Sequence, residues 1–142
     1  MDTDKRVYYK RSGNESVSRK PVVLAVDDSI TILKTVSDVL RDTCKVYTLP
    51  KPEELENVLK RVTPDLFIID YLMPEINGFD LVPIIRGFDK HKETPIIFLT
   101  SEGTLVNVAV AVSLGVTDFM VKPIVPDVLR DRVTKITAKV KG

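Results

Sequence analysis

The chain has 142 residues, 44% hydrophobic and 29% charged, with a formal net charge of +1, which is the size and balance of one globular domain with its own core. The sequence offers no broad basic face for nucleic acid and no apolar run long enough to cross a bilayer. We therefore expect binding to neither nucleic acid nor membrane. The single cysteine, Cys44, permits no internal disulfide, so we expect an intracellular, cytoplasmic protein.

The first 20 residues differ in charge from the rest of the chain. Residues 1–20 carry six Lys/Arg and three Asp/Glu, a net charge of +3, whereas residues 21–142 carry fifteen and seventeen, a net charge of −2. Serines, Gly13 and Asn14 accompany the early charges, and apolar residues there are few. We predict a flexible N-terminal extension over residues 1–20 and one folded domain over residues 21–142.

Five short apolar runs predict strands. Most of their apolar residues are consecutive, which is typical of parallel strands covered on both faces. The third run begins after Pro64-Asp65 and stops before Met73-Pro74, because proline cannot donate to a strand ladder. The predicted strands are Val22–Val26, Lys45–Thr48, Leu66–Asp70, Pro95–Thr100 and Asp118–Val121.

Five intervening segments have the apolar spacing of helices. Ser29 can cap the first, Pro52 with the acids behind it suits the start of the second, and Gly115 stops the fourth. The predicted helices run from Ser29 to about Asp42, from Lys51 through Val62, from about Phe79 to Asp89, from Gly103 to Leu114, and from about Pro126 through Ile136 to Val140.

The strict alternation of five strands and five helices predicts an α/β fold. In the expected (βα)5 arrangement, a doubly wound five-stranded parallel sheet has helices on both faces and right-handed crossovers between its strands. Ligands of such sheets bind in the crevice at the carboxyl ends of the strands. We therefore look for functional groups where the predicted strands end.

Polar side chains collect at this edge. Asp27 and Asp28 follow the first strand, Asp70 ends the third, Thr100 ends the fourth and Lys122 follows the fifth. Clustered carboxylates with a lysine suit a Mg²⁺ ion and phosphoryl transfer, in which a protein positions groups and neutralises charge. Asp70 would be the nucleophile and would form an aspartyl phosphate.

Four motifs occur in order: Asp27-Asp28, then Asp70-x-x-Met73-Pro74-x-x-x-Gly78, then Thr100-Ser101, then Asp118-Phe119-Met120-Val121-Lys122-Pro123. Each is weak alone, but together, each at the end of the correct strand, they are specific. Over residues 21–140 the chain resembles the receiver domain of two-component response regulators. The resemblance implies a flavodoxin-like sheet of strand order 2-1-3-4-5 and a receiver domain over residues 21–142.

The resemblance also implies a metal site. Asp70 would accept the phosphoryl group, and Asp28 and the Leu72 carbonyl would help Asp70 to hold Mg²⁺. Asp27 would bind the metal through water. The alternative is that these acids only cap helices and end strands.

The remaining implied roles concern the switch. Lys122 would pair with the phosphoryl group, the Thr100 hydroxyl would move towards it, and Phe119 would swing inward, because a phosphoryl group adds nearly two negative charges and several acceptors. A histidine kinase or phosphotransfer protein would supply the phosphoryl group, and a downstream protein would read the result. Such a chain phosphorylates and dephosphorylates itself but is not a turnover enzyme. The alternative is a solvated lysine and a core phenylalanine.

One departure from the family pattern affects dephosphorylation. Leu72, two residues after Asp70, is apolar and cannot orient a hydrolytic water, whereas Glu102 could. We predict slow self-dephosphorylation.

A second departure concerns the fourth predicted helix. Residues 103–117 contain no charged residue, and Leu105, Val108 and Val112 lie at i, i+3 and i+7. We predict that these three form an exposed apolar patch for association, including a homodimer through this helix. The alternative is a buried helix rich in β-branched residues.

Two other functions fit part of the pattern. A phosphohydrolase of the haloacid dehalogenase type also uses an aspartyl phosphate, but it needs a second acid where Leu72 stands. A receiver-like binding module that is never phosphorylated would not need the full set of acids, hydroxyl and lysine.

The single histidine, His91, lies in a polar stretch and is predicted to be a solvated loop residue. One histidine leaves almost no material for a histidine-based metal site.

Overall fold

The computed structural model describes residues 19–101 and 108–138 of the chain. Five parallel strands form one sheet of order β2-β1-β3-β4-β5, which confirms the predicted fold class and strand order. Each strand end lies within one residue of its predicted position. The strands are β1 (Val22–Val26), β2 (Lys45–Leu49), β3 (Leu66–Asp70), β4 (Ile96–Ser101) and β5 (Asp118–Lys122).

Five helices connect and follow the strands. They are α1 (Ile30–Leu40), α2 (Leu55–Leu59), α3 (Gly78–Arg86), α4 (Val108–Ser113) and α5 (Pro126–Thr137). Short 3₁₀ turns precede α2 and follow α3, at Pro52–Glu54 and Asp89–His91.

Helices cover both faces of the sheet, and an apolar core lies on each side. One core packs against α2, α3 and α4, and the other packs against α1 and α5. Because successive side chains of a strand alternate between faces, Phe67 and Ile69 enter the first core while Leu66 and Ile68 enter the second. Residues 66–69 of β3 are buried, as their unbroken apolar run predicts, and Asp70 at the end of the strand is buried as well.

Side-chain hydrogen bonds fix the helix starts next to the carboxyl edge of the sheet. Ser29 Oγ accepts from the Ile32 N–H at 3.3 Å, as expected for a cap. Asn77 and Asp80 form a capping box in which each side chain accepts from the other residue's N–H. Gly115, with a φ of +78°, turns the chain after α4, as its position predicts.

Two helices are shorter than predicted. Pro52–Glu54 form a 3₁₀ turn before α2, and Val62 lies beyond the end of that helix. The Val62 N–H still donates to the Val58 carbonyl at 2.9 Å, and Pro64 disfavours helical backbone at Thr63, so the helix does not continue beyond this point. α3 ends at Arg86, three residues before the predicted end, because Gly87 is a poor helix former.

The solvated position predicted for His91 is wrong. His91 is 1% exposed, and its ring packs in a T-shaped contact on Phe67 with the centroids 5.3 Å apart. Its Nδ1 lies 2.8 Å from Thr94 Oγ1, and its Nε2 is buried without a hydrogen-bond partner among the described residues. The 3₁₀ turn directs the ring towards the amino end of β3, although charged residues surround it in the sequence.

Some predictions fall outside the described residues. These concern the flexibility of residues 1–18, the positions of Glu102 and Leu105, and the core role of Val140. The same holds for the side chain of Val108, the first residue of α4. Over 19–101 and 108–138, no helix combines the length and apolar character needed to cross a membrane.

Candidate functional site

Three carboxylates meet at the carboxyl edge of the sheet. Asp27 and Asp28 directly follow β1, and Asp70 is the last residue of the neighbouring strand β3. One oxygen of each lies within 4.8 Å of the others. Asp27 is 1% exposed and Asp70 4%, whereas Asp28 is exposed. The cluster therefore combines two buried acids with one acid that faces solvent.

Lys122, the last residue of β5, adds a positive charge to this cluster. Its Nζ lies 3.1 Å from Asp27 Oδ2 and 3.2 Å from Asp70 Oδ1. β5 lies two strands away from β3, so the side chain reaches past the end of β4. Residues separated by more than fifty positions in the sequence thus meet because parallel strands end at one edge.

The lysine does not satisfy the acids completely. Asp27 Oδ1 accepts from the Ser29 N–H at 2.9 Å. Asp27 Oδ2 is buried, and beyond the ion-pair contact with Lys122 it has no well-directed hydrogen bond from any described residue. A buried carboxylate oxygen is costly without partners, so this atom has capacity for a further cation or a water bound to one.

Burial sets the electrostatics of the cluster. Desolvation first, and then the charges of Asp27 and Asp28, raise the pKa of Asp70 from 3.8 to about 6, although Lys122 opposes the rise. Desolvation also disfavours the charge on Lys122, but the carboxylates of Asp27 and Asp70 outweigh it and raise the pKa of the ammonium. At neutral pH Asp70 is therefore mainly ionised while its surroundings favour added positive charge.

The donor set fits Mg²⁺. The three carboxylates offer only oxygen ligands. Mg²⁺ in proteins uses one or two carboxylates and keeps waters or phosphate oxygens in its other positions. The exposed Asp28 leaves one side of the cluster open to solvent, as such a shared coordination sphere needs. Neither the cysteine nor the histidine, Cys44 and His91, belongs to this group.

Thr100 and Phe119, the predicted switch pair, lie on adjacent strands and the same face of the sheet. Thr100 in β4 is 5% exposed, and Phe119 in β5 is half-buried. The β4–β5 register pairs Phe119 with Phe98, two residues before Thr100, so the three side chains project from one face. Their roles in switching stay predictions.

Apolar side chains are exposed at the two places where the sequence departs from the family pattern. Leu72 is 57% exposed in the loop between β3 and α3. In α4, Val112 is 66% exposed and Val110 39%, whereas Ala111 is buried. Val112 thus points outward as its spacing predicts, and its role in association stays a prediction.

A cluster of aromatic rings that the sequence did not predict lies beside the acidic site. Tyr71, Phe79, Phe98 and Phe119 make successive ring contacts with centroids 5.2 to 6.0 Å apart. Of these only Phe119 is predicted to act in the site. The feature of the sequence that indicates this cluster is the placement of aromatic residues directly after Asp70 and at the start of the third helix.

Comparisons with known proteins agree with the fold. The family model described as the response regulator receiver domain matches residues 23–134. The chemotaxis protein CheY1 of Helicobacter pylori strain J99 is 34% identical over 113 residues, which cover 78% of this chain and 91% of that protein. The chemotaxis protein CheY homolog of Campylobacter jejuni strain 81-176 is 31% identical over 123 residues, covering 84% and 95%. The structure of Vibrio cholerae chemotaxis protein CheY4 matches with a TM-score of 0.77 at 33% identity, covering 83% of this chain and 99% of that one.

Proposed function

Because the chain belongs to the response regulator receiver domain family, we propose that it is a phosphorylation-controlled signalling switch whose phosphoacceptor is Asp70. Receiver domains are signalling switches of two-component systems and are not turnover enzymes. One observation supports the choice of residue above all. Asp70 lies at the end of β3, 4% exposed, with the Lys122 ammonium 3.2 Å from its carboxylate and two further acids beside it.

In the proposed reaction, a carboxylate oxygen of Asp70 attacks the phosphorus of the donor. The new oxygen–phosphorus bond forms as the bond from phosphorus to the leaving atom of the donor breaks. Asp70 reacts as the anion, which is its main form at neutral pH. Lys122, already placed against this carboxylate, neutralises charge on the phosphoryl oxygens.

Receiver domains bind Mg²⁺ at an acidic aspartate cluster, and this chain has such a cluster. We propose that Asp28, Asp70 and the Leu72 carbonyl hold the ion, and that Asp27 acts through water. Asp27 Oδ2 supports this assignment, because beyond its ion-pair contact with Lys122 it has capacity for a water bound to the ion. When bound, Mg²⁺ supplies charge neutralisation at the phosphoryl oxygens.

We further propose that the Thr100 hydroxyl donates a hydrogen bond to the phosphoryl group and that the Phe119 ring turns inward. The charge and acceptors of a phosphoryl group are sufficient to reorganise a nearby hydroxyl-bearing loop. The position of Thr100 and Phe119 on one face of adjacent strands supports the pairing. The changed surface around Phe119 would then alter partner binding or dimerisation.

Receiver domains interact with histidine kinases or phosphotransfer proteins and with downstream targets. For this chain we propose a phosphoryl donor of that class, a downstream protein partner, and a homodimer formed through the exposed apolar face of α4. Residues 21–142 would form the receiver domain and residues 1–20 an extension to it.

The direct test is intact-mass spectrometry of the full chain after incubation with acetyl phosphate and Mg²⁺. We expect one added phosphoryl mass on the parent protein and none on the Asp70→Asn variant. Asp131→Asn is a matched control, because Asp131 is an exposed acid paired with Lys135 on α5, and it should accept the phosphoryl group like the parent.

A native sizing column run on the same samples reports whether phosphorylation changes assembly. An adduct of equal yield on Asp70→Asn would contradict the assignment of the phosphoacceptor. Absence of any adduct on the parent would instead favour a receiver-like binding module that is not phosphorylated.

A further inference from the structure

Phe98, fully buried in β4, lies at the centre of the aromatic cluster. Its ring centroid lies 6.0 Å from that of Phe119, 5.7 Å from that of Tyr71 and 5.5 Å from that of Phe79. Aromatic rings at these separations are in contact. One side chain therefore touches the strand that carries Phe119, the residue that follows Asp70, and the first turn of α3.

The contact between Phe98 and α3 involves the helix backbone. A Cβ atom on Gly78 would lie 2.9 Å from Phe98 Cε1 and 3.1 Å from its Cζ, closer than non-bonded carbon atoms pack. The ring thus explains the glycine at this position. With no side chain between ring and backbone, a displacement of the ring is transmitted to α3 directly, because packed interiors have few voids to absorb it.

The same turn of α3 is tied back to the acidic site. The Gly78 N–H donates to the Tyr71 carbonyl at 2.8 Å, and Leu72 forms a β-bridge with Asn77. The loop that leaves Asp70 is therefore closed by the first residues of α3. This loop and the Phe119 ring share one buried support, the ring of Phe98.

We propose that Phe98 is a positioning residue that couples the Phe119 ring to the first turn of α3, so that phosphorylation changes the α3 surface around Phe79 as well as the Phe119 face. The inference depends on the proposed function, because a phosphoryl group on Asp70 starts the change. Phe79 is half-buried, so a change in its position is visible to a binding partner. Tightly packed contacts of this kind shift between discrete arrangements rather than deform gradually.

Fluorine NMR of the full chain tests the coupling. 4-Fluorophenylalanine is placed at Phe79 in one sample and at Phe119 in another, and each spectrum is recorded before and after addition of beryllofluoride with Mg²⁺ as a stable mimic of the phosphoryl group. In the parent we expect both resonances to shift. In Phe98→Leu we expect most of the shift at Phe79 to be lost, although the direct ring contact between Tyr71 and Phe79 remains.

Phe67→Leu is the matched control for the loss of a buried ring. Phe67 lies in the same core and is also fully buried, but its described ring partner is His91 rather than the aromatic cluster. The Phe79 response should survive in Phe67→Leu. Phe98→Met, which keeps most of the side-chain volume, is expected to lose it and provides a second variant if Phe98→Leu does not fold.

The outcomes separate the inference from the proposed function. A Phe79 response that persists in the Phe98 variants, or is lost equally in Phe67→Leu, overturns the coupling. So does a parent protein in which Phe119 responds and Phe79 does not. If neither resonance responds and acetyl phosphate leaves no adduct, the proposed function fails and the inference fails with it.

Discussion

Asp70 is mainly ionised at neutral pH although burial and the charges of Asp27 and Asp28 raise its pKa to about 6. A raised carboxyl pKa means that the folded protein holds the proton more tightly than the unfolded chain. Asp70 therefore destabilises the fold as the pH rises from about 4 to 6. The full effect corresponds to roughly 3 kcal/mol at most.

From this we predict that Asp70→Asn is more stable than the parent at pH 7.5 in EDTA, by about 1 to 3 kcal/mol, because it removes a repelled buried charge. Lys122 keeps Asp27 as its partner in the variant. Urea unfolding of both proteins measures the difference, with Asp131→Asn as the surface control. A variant less stable than the parent at pH 7.5 would show that the Asp70–Lys122 ion pair outweighs the repulsion.

Leu72 places an exposed apolar side chain two residues after Asp70, the proposed phosphoacceptor, where a polar one could position water. We predict that Leu72→Asn loses an aspartyl phosphate about tenfold faster than the parent, since one hydrogen bond to the attacking water is worth about 1.4 kcal/mol in the transition state. Decay of the phosphorylated mass after removal of acetyl phosphate gives both rates.

Leu72→Ala separates orientation of water from simple access. The alanine side chain admits water but does not bind it, so its rate should stay close to that of the parent. A parent half-life of seconds that Leu72→Asn leaves unchanged would contradict the role given to this position.

The helices differ in how closely they pack against the sheet, and α4 packs least closely of the described helices. Val110 and Val112 are β-branched and disfavour helix, and of the residues whose burial is described within α4, Ala111 is the fully buried one. Burial in an interface would therefore stabilise the exposed valines more than the helix does.

We predict that Val112→Lys weakens any phosphorylation-dependent dimer by roughly tenfold or more in Kd, because burying a valine contributes about 1.5 kcal/mol or more per copy. Sedimentation velocity with beryllofluoride and Mg²⁺ measures it. Ser113→Lys adds the same charge at the next exposed position without removing an apolar contact and should associate like the parent. Equal dimerisation of all three proteins would remove α4 from the interface.

The sequence predicted the helices and strands well wherever one pattern acted alone. The unbroken apolar run 66–69 predicted the burial of the first four residues of β3, and Ser29 predicted the start of α1. The prediction was poorer where two effects compete. At the end of α2, apolar spacing predicts a helix through Val62, but the helix ends at Leu59 and Pro64 disfavours helical backbone at Thr63. Apolar spacing alone does not weigh these two effects.

The topology of the parallel sheet made the acidic cluster predictable. Once the strands are parallel, Asp27, Asp70 and Lys122 must end at one edge, and their ion pairs follow. The ring contacts of Phe98 and the burial of His91 were not predictable in this way. The contacts of Phe98 depend on where the loop after β3 and the start of α3 lie against the sheet, and the burial of His91 depends on which way its side chain leaves the 3₁₀ turn. Hydrophobic periodicity encodes neither, least of all in a polar stretch such as 89–93.

His91 and Asp70 lie near opposite ends of β3, and they give the whole molecule two opposing responses to acid. Burial first, and the charges of Lys90 and Arg86, lower the pKa of His91 below 6.5, although Asp65 opposes this. As the pH falls below 6.5, the unfolded chain takes up a proton more readily than the folded one, so stability is lost. Asp70 acts in the other direction, because its protonation below about pH 6 favours the folded state.

We predict that Asp70→Asn and His91→Phe separate these two responses to acid when the free energy of unfolding is measured between pH 7 and 5 in EDTA. Distant sites add nearly independently, so relative to the parent Asp70→Asn should lose more stability on acidification, and His91→Phe should lose less or gain. Phenylalanine keeps the ring contact with Phe67 and has no nitrogen to protonate. Carboxylates outside the acidic cluster contribute a pH dependence common to all three proteins, which the comparison cancels. Parallel pH profiles for the three proteins would show that neither buried group titrates as its surroundings imply.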